Sequence, residues 1–278
     1  MRRGWAPLAV LLWAVLLSAA PAAAADLTLS IGGVTRHYGA AELLANPAAR
    51  EIEVPRDAAY GRKMRYRALP LPALLSGTAL PPDQVIEAVA SDGFVAQLPL
   101  DLLLHPAAGG ALPYLAIEPP EARWPALPGK AASAGPFYLV WLRPEASGVR
   151  REQWPYMVVE LRSADSPAKR WPGLAVDPGL PADDPVRAGQ ALYVTNCLVC
   201  HRLNGAGSAE VGPDLNLPMN PTEYFQPGAL HAYIRDPAAL RHWNAMTMKG
   251  FGEDDLSDRE IDLIIAYLAH MAGRKRQP

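Results

Sequence analysis

Asn196-Cys197-Leu198-Val199-Cys200-His201 holds the only two cysteines of the 278-residue chain, spaced C-x-x-C with a histidine directly after. That spelling reads as a c-type haem attachment site. Each of the two thiols must form a thioether to a vinyl group of the same porphyrin. Two intervening residues let one helical turn present both sulfurs to the porphyrin edge. His201 then falls beneath the ring, where its imidazole can ligate the iron. The competing readings ask for different residues. A redox dithiol or a disulfide does not need the histidine. A zinc site needs two more ligands of matching spacing, and no second cysteine pair exists.

Covalent haem attachment takes place outside the bacterial cytoplasm, so the N-terminus should carry an export signal. Met1-Arg2-Arg3 is a short basic segment, Leu8 to Leu17 is apolar, and Ala22 to Ala25 offers small residues for cleavage. This is the layout of a secretory signal peptide over residues 1–25, cleaved after Ala25. The apolar run is short for a membrane span, which argues against an uncleaved anchor. The expectation is a periplasmic protein with no stable membrane span after cleavage. The chain carries 26 basic and 28 acidic side chains. Loss of Arg2 and Arg3 takes the net charge from −2 to −4. That balance leaves no electrostatic footprint for nucleic acid. Arg274-Lys275-Arg276 reads as a solvated basic end. The remaining length fits two modest domains, and 29 prolines imply many turns.

Residues 26–165 read as a β-rich α+β domain. Leu27 to Ile31 alternates and runs into Gly32-Gly33, a strand into a hairpin turn. Further strands are expected at Arg50 to Val54, Met64 to Leu69, Gln84 to Ala90, Phe94 to Leu98, Tyr114 to Ile117, Phe137 to Trp141 and Tyr156 to Leu161. Single helical turns are expected at Ala40 to Leu44, Pro72 to Leu75 and Leu100 to Leu104. Short strands of this kind suit a mixed sheet or a small barrel. His37 and His105 stand alone and read as structural or exposed. Arg62, Lys63, Arg65 and Arg67 alternate as an exposed strand face would.

Four phrases of this region occur in a familiar order: Leu69-Pro70-Leu71-Pro72-Ala73-Leu74-Leu75, Ala90-Ser91-Asp92-Gly93-Phe94, Gly135-Pro136-Phe137-Tyr138-Leu139-Val140, and Trp154 with Val158-Val159-Glu160-Leu161. Together, over about residues 65–162, they resemble the molybdopterin-binding domain of the sulfite-oxidase type of oxidoreductase. The resemblance implies a fold more than an activity. In that family the molybdenum takes a thiolate from a protein cysteine. Residues 26–165 contain no cysteine, and Cys197 and Cys200 are committed to haem. The domain is therefore expected to lack molybdopterin.

Residues 166–184 turn to Ser, Ala, Asp, Pro and Gly and read as an extended connector, which Trp171 and Leu174 could pin to a domain. In residues 185–278, Asp184-Pro185 supplies an N-cap and a first-turn proline. Gly189, Tyr193 and Cys197 then fall four apart on one helix face. Ser257-Asp258-Arg259-Glu260 is a capping box. Ile261, Ile264, Ile265, Leu268 and Ala272 follow at helical spacing and end at Gly273. The two terminal helices should cross with Tyr267 against Gly189.

This half resembles the class I c-type cytochromes, an all-α fold. The match in order is Gly-x-x-x-aromatic-x-x-x-Cys-x-x-Cys-His, then Gly212-Pro213-Asp214-Leu215, a late Met, and a final helix ending Ala266-Tyr267-Leu268. The resemblance implies that the Pro213 carbonyl receives the other imidazole N–H of His201, holding the ring and raising its basicity. It also implies a distal methionine. The family's Met-Pro-x-Phe before a Leu-Ser-Asp helix start matches Met248-Lys249-Gly250-Phe251 and Leu256-Ser257-Asp258, with Lys249 in place of proline. Met248 is thus favoured as distal ligand, with Met246 the alternative. Met219 fits poorly, and His231, His242 and His270 are less suited, His231 and His270 being expected on exposed faces.

A thioether opposite an imidazole favours ferrous iron, and two filled axial positions favour electron transfer over haem catalysis. The expected protein is an exported monohaem cytochrome with one covalent haem c, an electron carrier rather than a catalyst. It would pass single electrons between periplasmic donor and acceptor proteins, with an N-terminal docking domain. The alternatives are a single-chain molybdopterin/haem dehydrogenase oxidising a small anion such as sulfite, and a ligand-binding sensor with an open distal position.

Overall fold

The computed structural model describes residues 26–78, 80–226, 228–242 and 246–276. The expected signal peptide lies outside the described residues. Among these, no helix is long and apolar enough to cross a membrane.

The N-terminal region is built on nine strands in two sheets: β1 (Asp26–Ile31), β2 (Val34–Gly39), β3 (Arg50–Val54), β4 (Met64–Pro70), β5 (Gln84–Ala90), β6 (Val95–Pro99), β7 (Leu112–Ile117), β8 (Phe137–Leu142) and β9 (Val158–Asp165). One sheet has the order β2-β1-β9-β5-β6 and the other β3-β4-β7-β8. All pairings are antiparallel except β1 with β9, where Leu29 lies opposite Leu161. The five-stranded sheet is therefore mixed, and a register shift between Val89 and Ala90 bends β5 against β9. Side chains of both sheets share one core, with Trp141, Tyr138, Leu139 and Leu161 fully buried. Single helical turns α1 (Ala40–Leu44), α2 (Leu71–Leu74) and α3 (Leu100–Leu104) join the strands. β4 alternates buried Met64, Tyr66 and Ala68 with exposed Arg65 and Arg67. Lys63 and Arg65 pair with Glu53 on β3 at 3.4 and 3.0 Å, so these cations form a solvated face.

The stretch expected to run extended is packed instead. After α4 (Pro167–Arg170), a 3-10 turn Pro172–Leu174 carries Leu174 into the C-terminal core, where it is fully buried beside Val176. Tyr267 donates to the Leu174 carbonyl at 2.7 Å, and Arg170 lies over the Trp171 ring. Gln190 and Asn204 also donate to the Leu174 and Gly173 carbonyls at 2.8 and 3.0 Å, so buried Leu174 and these bonds together order a Pro-rich segment whose backbone entropy is already low.

The C-terminal region is helical: α5 (Pro185–Asn196), α6 (Pro221–Tyr224), α7 (Ala229–Arg235), α8 (Pro237–Leu240) and α9 (Asp258–Ala272). Asp184 caps α5 through Val186 N–H at 2.8 Å. Ser257 and Glu260 form the capping box of α9. α5 and α9 cross at Gly189. A Cβ there would lie 2.0 Å from the Leu263 carbonyl oxygen and 2.9 Å from Tyr267 Cβ. Only glycine permits this approach, which brings the Tyr193 and Tyr267 rings to 5.3 Å. His231 and His270 do not stand free on exposed faces. His231 bridges Asp262 and Asp258 at 2.9 and 3.0 Å, tying α7 to α9, and His270 Nε2 accepts the Asp177 N–H. Two acidic side chains one helical turn apart make a cradle for one imidazole, a tertiary pairing that local pattern does not reveal.

Candidate haem-binding site

α5 ends at Asn196 because Cys197 sits at its C-cap, with its N–H still bonded to the Tyr193 carbonyl. The next four residues form a tight turn: Cys200 and His201 N–H groups both return to the Cys197 carbonyl at 3.0 and 2.8 Å. This turn places Cys197, Cys200 and His201 together on the wall of one cavity of about 1040 Å³. The volume is at the upper end for small-molecule sites. Apolar side chains dominate the rest of the wall, among them Phe225, Leu230, Phe251 and Leu268.

The imidazole is fixed from behind. His201 Nδ1 lies 2.9 Å from the Pro213 carbonyl oxygen. A carbonyl only accepts, so Nδ1 carries the proton and Nε2 keeps its lone pair. Gly212 makes the close packing possible: a Cβ on it would meet His201 Cε1 at 2.4 Å and Nδ1 at 2.5 Å. Asp214 holds the loop that carries both residues, accepting from Asn204, Gly205, Asn216 and Leu217 N–H groups at 2.7 to 3.1 Å. Burial lowers the His201 pKa, opposed by the bond to Pro213. The ring is thus held neutral, the form a metal accepts.

Met246 and Met248 both line the cavity, half-buried. Their loop is held to α7 by Arg235, whose guanidinium donates to the Phe251 and Leu256 carbonyls at 2.5 and 2.7 Å. Met219 is exposed and does not line the cavity. Neither do His231, His242 and His270. Residues 186–272 match the cytochrome c family model. The C-terminal region is a cytochrome c domain, and everything before Val186 lies outside that match. No curated protein matches the chain significantly.

The family implies haem c, and the residues of this cytochrome c domain fit it. Two sulfurs and an imidazole with a free Nε2 share one wall, two thioethers belong to the same cavity, and most of the lining is apolar, as a porphyrin face requires. Burial pushes the Cys197 thiol up to about 12 and Cys200 to about 11. Thiols so placed are protonated and poor nucleophiles, the reverse of a redox-active dithiol.

Two features escaped the sequence reading. Glu152, from a 3-10 turn Arg151–Gln153 in the N-terminal region, lines the same cavity. Burial pushes its carboxyl up to about 7, against the pull of Arg151. The second is a ladder of buried asparagines. Asn220 donates to Asn216, and Asn216 to Asn204, each at 2.8 Å. The same three amides donate to the Leu268, Met271 and Arg274 carbonyls at the end of α9. The ladder adds side-chain donors to carbonyls at and just beyond the end of α9, where Met271 also accepts the Arg274 N–H at 2.8 Å. An isolated Asn in a loop reads as a turn residue, so sequence carries little signal for it.

Proposed function

We propose that this chain is an exported monohaem c-type cytochrome that passes single electrons between periplasmic donor and acceptor proteins. Cys197 and Cys200 hold the haem covalently, His201 is the proximal ligand and Met248 the distal one, with the N-terminal domain serving docking or positioning. The observation that carries this reading is the largely apolar cavity in which a C-x-x-C-H turn, with His201 Nδ1 donating to Pro213, shares the wall with the methionine loop.

Bound haem supplies a one-electron ferric/ferrous couple. The chain's own residues set its terms. The Pro213 carbonyl orients the His201 ring and raises its basicity. Met248 offers a thioether, which stabilises the reduced state. The largely apolar wall would limit the water in contact with a bound haem. Met248 is preferred to Met246 by register with Phe251 and the Ser257 cap, since both side chains reach the wall. The N-terminal domain is read as free of molybdopterin, because residues 26–165 offer no cysteine.

The test is made on protein from a host that produces both c-type haem and molybdopterin. Iron at one per chain without molybdenum, and no rapid carbon monoxide binding by the reduced protein at neutral pH, is the expected result. Near-equal molybdenum and iron would instead establish a two-cofactor enzyme, to be screened first with sulfite. Rapid carbon monoxide binding would mean an open distal position and a sensor or catalyst.

A further inference from the structure

The 3-10 turn Arg151–Gln153 belongs to the N-terminal domain by chain order but packs against α5, close to its cysteine-bearing end. It is gripped from both sides. On its own domain, Trp141 Nε1 donates to the Gln153 carbonyl at 2.8 Å, and Gln153 Oε1 accepts the Arg150 N–H at 2.8 Å. Toward the cytochrome c domain, Arg150 forks onto Glu260 in the α9 capping box and also donates to the Asp255 carbonyl at 3.2 Å. Arg151 pairs with Asp255 at 3.6 Å. The Arg150 and Glu260 side chains are only 29% and 23% exposed. A bidentate, mostly buried pair of this kind holds position far better than a surface ion pair.

Between these anchors sits Glu152. Among the described residues it is the only one before the cytochrome c match that lines the cavity, and it shares that wall with Cys197 and Cys200. Among the described residues its carboxylate has no hydrogen-bond partner. Its half-buried side chain stands on the cavity wall, so a charge there acts at short range on whatever fills the cavity.

We infer that the haem site is shared between the two domains: the N-terminal domain closes the crevice beside the cysteines with its Arg151–Gln153 turn, and Glu152 sets the electrostatic field on that side. This rests on the proposed haem attachment. The N-terminal domain then acts on the haem directly, as a fixed wall, besides any docking of partners. A negative charge on the wall favours the more positive, ferric state, so it lowers the ferrous fraction at any fixed ambient potential.

The experiment uses full-length protein in which covalent haem is first verified, so that absence of haem in the unaltered protein overturns the proposed function and not this inference. Midpoint potentials are measured in alkaline buffer for Glu152→Gln and Asp254→Asn. Asp254 pairs with Arg56 across the same seam in solvent and serves as control. The expected result is a several-fold rise in the ferrous-to-ferric ratio at fixed potential for Glu152→Gln, with no change for Asp254→Asn. Glu152→Gln is decisive because it keeps volume and leaves Arg150, Arg151 and Gln153 in place. A haem-loaded Glu152→Gln protein with the unaltered ratio would overturn the inference.

Discussion

Gly212→Ala is the perturbation whose consequence follows most directly from the geometry. The added Cβ would lie 2.4 Å from His201 Cε1 and 2.5 Å from Nδ1, where ordinary contact begins at 3.4 Å. About 1 Å of movement is therefore required, either of the imidazole or of the loop carrying Pro213. Both movements lengthen the 2.9 Å bond between His201 and Pro213 beyond what counts as a hydrogen bond. Overpacking of this size costs about 1–3 kcal/mol, and the lost bond adds about 1 kcal/mol. The variant should therefore be about 2–4 kcal/mol less stable in denaturant unfolding of the haem-loaded protein. The ring also loses the partner that raises its basicity, which weakens the ferric state. If the whole ~1 kcal/mol is felt by one oxidation state, the midpoint potential rises by about 40 mV, at 59 mV per tenfold for one electron. Spectroelectrochemistry reads the second number independently of the first. A variant with unaltered stability and unaltered potential would refute the claim that Gly212 and Pro213 together hold the proximal ring.

Three further outcomes are expected. Met248→Ala should lower the midpoint potential by on the order of 100 mV, within the about 0.8 V that axial ligands span, and should admit carbon monoxide to the reduced protein, whereas Met246→Ala should do neither. Because burial pushes Glu152 up to about 7, its charge appears as pH rises through that value, so the potential of the haem-loaded protein should fall across neutral pH, and Glu152→Gln should flatten the slope. Asn216→Ala should cost about 2–4 kcal/mol in denaturant unfolding, since it removes three side-chain hydrogen bonds in a buried site, at about 1 kcal/mol each.

The periodic parts of this molecule were legible in the sequence. Arg50–Val54 and Gln84–Ala90 form the strands their alternation and composition suggested, and Gly189 and Tyr267 meet at the helix crossing that four-residue spacing called for. β2 was less visible because Val34 to Tyr38 is an edge strand largely exposed on both faces, which leaves no apolar period to read. The residues 172–176 were read as connector because one buried leucine among prolines gives no period either, although together with the bonds to the Gly173 and Leu174 carbonyls it orders the segment. At the site, the C-x-x-C-H turn carries its chemistry in five consecutive residues, so it is readable without a fold. Glu152 is distant in sequence and reaches the cavity only because Arg150 and Trp141 fix its turn. Tertiary placement, rather than residue type, gives that carboxylate its role.

The central claim is covalent attachment of one haem through Cys197 and Cys200. Its most direct measurement is the mass of the peptide spanning residues 188–202 after trypsin digestion of protein made alongside a c-type haem attachment system. The account predicts that this peptide carries the mass of one haem and that neither thiol reacts with an alkylating reagent. A peptide of unmodified mass with both cysteines alkylated would contradict it.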